Sequence, residues 1–453
     1  MNLYRLLRKR QEERRPLRIA MIGAGKFGTM FLAQARTTPG IHLVAVVDLS
    51  PKRAIDALAR VGWPAEQISA PDLDDATRTG RTHVSSDVDA LMRHGGIEIV
   101  VEATGDPMAA TTHILTAFAN GKHVVNVTVE ADALCGPLLA RRAEKEGMIY
   151  SLAYGDQPAL ICDLVDWARA AGLDVVSAGR GHKWLPHYAA STPETVWQHY
   201  GLTEEQAKAG GMNPQMFNSF LDGSKPAIEC TAVCNATGLL PPPDGLEFPP
   251  ASLTEIPYVC RPKSDGGQLH FKGQVEVLSS LERDGRPIVD NLRWGVFVAF
   301  AAGNDYVRRC FSEYGLITDP SGRYGAMYKR WHLIGLELSV SVASVGLRSE
   351  PTGRPDDFRA DTVAVAKRDL VPGEILDGEG GFTVVGKLVS ASTSLANGAL
   401  PLGLANKVAV VNQVKAGSVL RWIDVKVDAT REAVRARRDM EVMFGAGLAR
   451  PAS

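Results

Sequence analysis

Leu17-Arg18-Ile19-Ala20-Met21-Ile22, followed at once by Gly23-Ala24-Gly25-Lys26-Phe27-Gly28, decides the fold. The first six residues are an apolar run of the length of one buried strand. The glycines are spaced G-x-G-x-x-G, and Phe27 to Ala35 reads as a helix. A second apolar run, His42 to Val47, ends on Asp48, about twenty residues past the last glycine. Each feature has a physical reason. Gly23 permits a tight turn, Gly25 lets a pyrophosphate approach the backbone, and Gly28 lets the helix pack on the strand. The helix N-terminus turns free N–H groups and a positive dipole end toward an anion. A carboxylate at position 48 suits ribose hydroxyls. The stretch predicts a dinucleotide site that includes Gly23, Gly25, Lys26, Phe27, Gly28 and Asp48. Arg53, with Ser50 and Lys52, offers an alternative grip on a 2′-phosphate, so NAD and NADP both remain open.

Outward from this stretch, strands alternate with helices. Ile97 to Glu102 is a strand running into Ala103-Thr104-Gly105-Asp106-Pro107; Ala109 to Asn120 is a helix; His123 to Val127 is a strand; Ala131 to Glu146 is a helix; Met148 to Ser151 is a strand. This alternation means βαβ units and a doubly wound parallel sheet of Rossmann type over residues 1–155. Thr104 and Gly105 leave the carboxyl end of a strand, beside the cofactor crevice of such a sheet.

Past Gly155 the texture changes. Helices are expected at Pro158–Ala171, Thr192–Lys208, Met216–Ala236 and His332–Val345, and strands at Val175–Ala178, Gln274–Leu281 and Asn291–Ala301. Residues 156–350 therefore read as an α+β substrate domain, with the helix at His332–Val345 between the domains or packing back on the nucleotide fold. Arg348 to Pro355 is a linker by composition. Residues 356–430 read as a small β domain able to fold on its own, and 431–453 as a terminal helix and tail.

Carbonyl reduction needs a proton donor, and burial among cations lowers a lysine's pKa toward that task. Lys183 follows a strand in a loop with Arg180, His182 and His187. It is either a catalytic or anion-binding lysine or a solvated loop charge. Asn218, Asp222, Lys225 and Glu229 form a second polar set. Lys225 and Glu229, four apart, are either part of the chemistry or a surface ion pair. The candidates are thus Lys183, Lys225 and Asp222 for catalysis, and Arg180, Asn218 and His187 for substrate. His332 reads as a capping or packed histidine, and Arg323 and Tyr324 as an exposed turn.

The totals exclude several classes. Lys+Arg 50 against Asp+Glu 51 gives a net charge of −1, which argues against nucleic acid or an anionic membrane as partner. The six cysteines show no C-x-x-C spacing and read as reduced thiols of a cytoplasmic protein. Met1 to Pro16 lacks the apolar core of a signal peptide. The most apolar stretch, Leu333 to Leu347, contains Glu337 and is too short to span a bilayer.

The motifs also carry a resemblance. Gly23 to Gly28, Glu102-Ala103-Thr104-Gly105 and Gly121-Lys122-His123-Val124-Val125-Asn126 resemble the N-terminal domain of homoserine dehydrogenase-like oxidoreductases. Gly155-Asp156-Gln157-Pro158, Gly181-His182-Lys183-Trp184-Leu185-Pro186, Phe217 to Gly223 and His332 to Glu337 narrow it. Ala366-Lys367-Arg368-Asp369-Leu370 with Pro372-Gly373-Glu374 resembles an SAF domain, a small β-clip module. The order as a whole is similar to the deoxyxylulose-phosphate reductoisomerase-like (DRL) family. That resemblance implies an NAD(P)H-dependent oxidoreductase, favours NADP, and points to conversion of 1-deoxyxylulose 5-phosphate to 2-C-methylerythritol 4-phosphate in isoprenoid synthesis. It allows a divalent metal (Mg or Mn), although no acidic metal cluster can be mapped. The chain departs from homoserine dehydrogenases, whose acid and lysine stand about ten residues apart; here Asp222 is followed by Lys225. A dehydrogenase of another small polyol, sugar acid or hydroxy acid is the alternative, and a nucleotide-binding redox sensor is the alternative of another class. The expected partner is a small phosphorylated or polyhydroxylated molecule, and the expected assembly a homo-oligomer.

Overall fold

The computed structural model describes residues 2–209 and 211–448. The chain divides into two compact units. One runs to Leu160 and is completed by Leu333–Asp356; the other comprises Ile161–His332 and the chain from Asp357 onward.

The first unit is built on a six-stranded parallel sheet. Its strands are β1 Leu17–Ile22, β2 Ile41–Val47, β3 His83–Ser85, β4 Ile99–Glu102, β5 His123–Asn126 and β6 Tyr150–Leu152, in the order β3-β2-β1-β4-β5-β6. β1 and β4 are apolar along nearly their whole length because helices cover both faces. The order reverses at β1, so β1 and β4 flank the switch point where such sheets bind ligands. The helix Ser339–Arg348 belongs to this unit. Leu338, Val342, Ala343 and Val345 join Leu3, Leu7 and Leu17 in one core, and a Cβ on Gly346 would stand 2.7 Å from the Leu17 side chain. The apolar stretch at His332–Val345 thus forms a helix that starts later than its composition suggests. Gly335 (φ +75°) turns the chain before it.

The second unit holds a mixed sheet of β7 Asp174–His182, β8 Gln274–Ser279, β9 Val296–Ala301 and β10 Tyr324–Lys329, in the order β10-β9-β7-β8. β7 and β8 are parallel; β9 runs antiparallel to both β7 and β10. The expected helix over 216–236 is two helices, Pro214–Leu221 and Ser224–Thr237, broken at Gly223 (φ +91°). The one expected over 192–208 is likewise two short helices, Val196–Tyr200 and Glu204–Ala209, separated by Gly201 in the left-handed region.

The β-rich region has a two-stranded sheet, β11 Ala360–Ala366 with β13 Val384–Ser390, and a three-stranded one, β12 Ile375–Asp377, β14 Asn406–Val410 and β15 Val425–Lys426. It does not stand apart as its composition suggests. Asn235 of the helix Ser224–Thr237 accepts the N–H groups of Arg359 (2.8 Å) and Ala360 (2.9 Å), and Ser224 Oγ accepts that of Gly386 at 2.8 Å. The hydroxyls of Thr231 and Thr362 lie 2.7 Å apart, both buried. The terminal helix is Glu432–Leu448; the remainder of the expected tail, 449–453, lies outside the described residues.

Candidate active site

The glycine turn has the shape that its spacing predicts. A Cβ on Gly23 would lie 2.5 Å from the Ala103 carbonyl oxygen, and one on Gly28 2.6 Å from that of Gly23; neither position accepts a side chain. Nothing lies within 4 Å of a Cβ on Gly25, the N-cap of the helix Lys26–Ala35. That open space, beside free N–H groups at a helix start, is the room a pyrophosphate needs. Gly25 and Lys26 are exposed and Phe27 is half-buried.

Asp48 differs from expectation. Its Oδ2 accepts the Ala24 N–H at 2.8 Å and its Oδ1 the Ser50 N–H at 2.9 Å, while Arg53 donates to both oxygens at 2.7 and 2.8 Å. Burial works against its charge, but these bonds, Arg53 first, hold its pKa below the usual carboxylate range. All four lone-pair positions are thereby used. A ribose hydroxyl reaches this carboxylate only by displacing Arg53, which is itself 61% exposed. The acidic residue at the end of β2 here ties the glycine turn to Arg53.

In the second unit, three separated stretches meet at the end of β7. Gly181 makes the meeting possible: a Cβ there would sit 2.0 Å from the Leu292 carbonyl oxygen and 2.8 Å from the Arg293 nitrogen. Lys183 follows. Its Nζ donates to the His199 carbonyl at 2.6 Å and lies 5.6 Å from the Tyr200 ring centroid. Tyr188 contacts His187 (4.6 Å between centroids) and His199 (4.8 Å). Arg293 is half-buried and stacks over Trp294 at 4.6 Å, yet among the described residues its guanidinium has no hydrogen bond and no ion pair. Its charge reaches Lys183, Tyr188, Tyr200 and His182.

The electrostatics follow from burial among like charges. Desolvation, then Arg293, lowers the Lys183 pKa. Burial pushes Tyr200 up to about 12, with Arg293 pulling the other way. His199 is lowered by burial, then by His187 and Lys183. Among the described residues no carboxylate pairs with Lys183 or Arg293. The corner offers donors and positive charge without a counter-ion among the described residues, which is the chemistry of an anion site.

The other sequence candidates lie elsewhere in this unit. Arg180 is 4% exposed and its NH1 pairs with Glu229, so its charge is neutralised inside the protein and is not offered to a substrate. Glu229 therefore does not serve Lys225, which is half-buried in the first turn of its helix. His182 donates Nε2–H to the Phe220 carbonyl at 2.6 Å, and burial, then Arg180, pushes its pKa down to about 3, keeping it neutral. Asp222 is 3% exposed: Oδ1 accepts the Ser224 N–H at 2.9 Å, and Oδ2 takes Lys367 Nζ at 2.7 Å. Lys367 also donates to the carbonyls of Ser191 (2.8 Å) and Gly381 (2.9 Å). Asn218 donates to the Ser191 and Gly380 carbonyls and accepts from Ser191 Oγ. Asn218 thus holds the Gly380 carbonyl of the β-rich region directly, and Asp222 is tied to that region through the Lys367 ammonium. Of the second-unit candidates, the structure gathers Lys183 and His187 into the corner and places Arg180, Asn218 and Asp222 in the interior. Tyr188, His199, Tyr200 and Arg293 were missed because only the fold brings them to Lys183.

Among the described residues, no group of three or more His, Cys, Asp or Glu is arranged to hold a metal ion. No helix there is long and apolar enough to cross a membrane.

Two family models match. Residues 155–338 match the catalytic domain of oxidoreductase DRL, and residues 17–126 match the NAD-binding Rossmann fold of the GFO/IDH/MocA oxidoreductase family. No curated protein matches. Similar solved structures include a 3-ketoreductase from Actinomadura kijaniata in complex with NADP and TDP-benzene (16% identity, 38% of this chain, 48% of that chain, TM-score 0.25). Myo-inositol dehydrogenase from Lactobacillus casei in complex with NAD(H) and myo-inositol is another (15%, 41%, 52%, 0.28). A third is 1-deoxy-D-xylulose 5-phosphate reductoisomerase from Zymomonas mobilis in complex with NADPH (19%, 47%, 57%, 0.32). The chain spans about half the length of each.

Proposed function

We propose that this NAD(P)-dependent oxidoreductase reduces a small, phosphorylated polyhydroxy carbonyl compound, and that 1-deoxyxylulose 5-phosphate, with reductive rearrangement to methylerythritol phosphate, is the first substrate to test. The oxidoreductase class rests on the two family models, and the fit of the cofactor on the open cradle at Gly25. One observation carries the substrate class: Arg293, half-buried and without a counter-ion among the described residues, beside Lys183 and two tyrosines. Desolvating a guanidinium is costly, and an arriving phosphate offsets that cost through paired charge-assisted hydrogen bonds. Lys183, Tyr188, Tyr200 and Arg293 all fall within the stretch that matches the DRL catalytic domain.

Reduced nicotinamide supplies the hydride when bound. Lys183 supplies the proton that the forming alkoxide needs. Its lowered pKa makes it a readier acid, and its bond to the His199 carbonyl fixes its reach. Arg293 holds the phosphate, and the Tyr188 and Tyr200 hydroxyls hydrogen-bond the polyhydroxy chain. For a rearrangement, the same cations polarise the ketone and hold the skeleton. The β-rich region with its SAF resemblance has a supporting role in this reading, through Lys367. Assembly as a homo-oligomer is part of the proposal.

The test is incubation of the purified protein with deoxyxylulose phosphate and NADPH, with and without magnesium or manganese. Methylerythritol phosphate formed in step with NADPH oxidation is the expected result. A folded, cofactor-binding protein that makes none removes the isoprenoid substrate. The broader reading is then tested by the same absorbance assay across phosphorylated ketoses and aldoses, and no turnover there removes it as well.

A further inference from the structure

Glu102 closes β4 with its side chain fully out of solvent. Among the described residues no lysine or arginine pairs with it; the one basic neighbour is His113, whose Nδ1 lies 3.3 Å from Oε1. A buried carboxylate without a cation is expensive unless donors surround it. Its donors come from two different loops. Thr104 Oγ–H donates to Oε1 at 2.6 Å, and Thr128 Oγ–H donates to Oε2. The Thr128 oxygen in turn accepts the Gly105 N–H at 3.0 Å. The carboxylate therefore ties the loop after β4 to the loop after β5, and both leave the carboxyl edge of the sheet where the cofactor lies.

The first loop is also locked to the glycine turn. Ala103 N–H donates to the Ile22 carbonyl at 2.8 Å, and a Cβ on Gly23 would stand 3.0 Å from the Thr104 nitrogen. A sheet of this order binds the adenosine half of a dinucleotide over β1 to β3 and the nicotinamide half over β4 to β6. Glu102 sits on the second side of that division.

We propose that Glu102, acting through Thr104 and Thr128, is a positioning residue for the nicotinamide half of the cofactor. It holds the two loops that this half must rest on in one arrangement, and it does so by accepting a hydroxyl on each oxygen, which an amide cannot fully replace. A residue that only stabilised the domain would not distinguish one half of the cofactor from the other.

The experiment is calorimetric titration of wild type, Glu102→Gln, Thr128→Val and Thr128→Ser with the reduced dinucleotide (NADPH or NADH, whichever binds wild type more tightly) and, separately, with ADP as a probe of the adenosine half. Glu102→Gln and Thr128→Val are expected to weaken the dinucleotide by about 10-fold, the scale of a buried acceptor bond lost. ADP affinity is expected to stay within about twofold on the same reasoning, and Thr128→Ser, which keeps the hydroxyl, to bind like wild type. If Glu102→Gln fails to fold, the two Thr128 variants decide. Unchanged dinucleotide affinity, equal loss for ADP and dinucleotide, or no difference between Thr128→Val and Thr128→Ser would each overturn the assignment.

Discussion

Glu276 gives the second unit a pH dependence of its own. It is fully buried on β8, and its Oε1 accepts the N–H groups of Glu247 (3.1 Å), Phe248 (3.3 Å) and Val277 (2.9 Å). Burial outweighs those bonds and pushes its pKa from 4.5 up to about 7. Below pH 4.5 both folded and unfolded chains carry the proton. Between 4.5 and about 7 only the folded chain keeps it, so stability falls as pH rises through that window and the full cost is present above it. Glu276→Gln keeps the accepting Oε1 and removes the charge. Thermal denaturation at pH 5 and pH 8 should show a smaller pH-dependent loss in the variant, by about 3 kcal/mol at most, on the linkage of 1.36 kcal/mol per pKa unit. Equal losses would contradict this. Nothing in the sequence around Glu276 signals its burial, and the same is true of the arginines. Arg180 lies within β7 and is turned inward onto Glu229, 49 residues away; Arg293 lies in the turn before β9 and has no ion pair among the described residues. The glycine turn was legible because its contacts fall within a few residues, whereas the cation corner joins positions 183–188, 199–200 and 293.

At the scale of elements, the question is why a region that follows a Pro/Gly linker does not stand alone. β11 and β13 lean on the helix Ser224–Thr237, and Lys367, one residue past β11, reaches Asp222 at the head of that helix. Both side chains are nearly sealed, at 6% and 0% exposed. Removing one partner of a buried pair strands the other: Lys367→Met should cost about 3–5 kcal/mol. It should lower the melting temperature of the second unit, and Lys367→Met with Asp222→Asn should recover part of the loss. An unchanged melting temperature for the single variant, or a fragment spanning 358–428 that folds by itself to a dispersed NMR spectrum, would contradict this account. Linker composition marks where a chain turns and says little about what its next strands will cover. Gly223 shows the same limit in miniature. Phe217 to Gly223 reads as part of one long helix by apolar spacing, and only the positive φ at Gly223 reveals the break that seats Asp222 against Lys367.

Over the whole molecule, the alternation of strands and helices made the parallel sheet readable, because each βαβ unit is written in some thirty consecutive residues. The return of 333–356 to the first unit was only half legible: the apolar run announced a buried helix, but its partners Leu3, Leu7 and Leu17 lie more than three hundred residues earlier. The division into two units likewise depends on which faces the last third of the chain covers, and composition does not record that. If Arg293 receives the substrate's phosphate, its loss should act on substrate binding and leave the cofactor alone. The most direct measurement is the steady-state KM of Arg293→Met against wild type, on the phosphorylated substrate turned over with NADPH, together with the Kd of NADPH. The KM should rise about 10- to 100-fold, from the roughly 1.5–3 kcal/mol typical of hydrogen bonds to charged groups, with the Kd for NADPH unchanged. A KM equal to that of wild type in a folded Arg293→Met protein would contradict it.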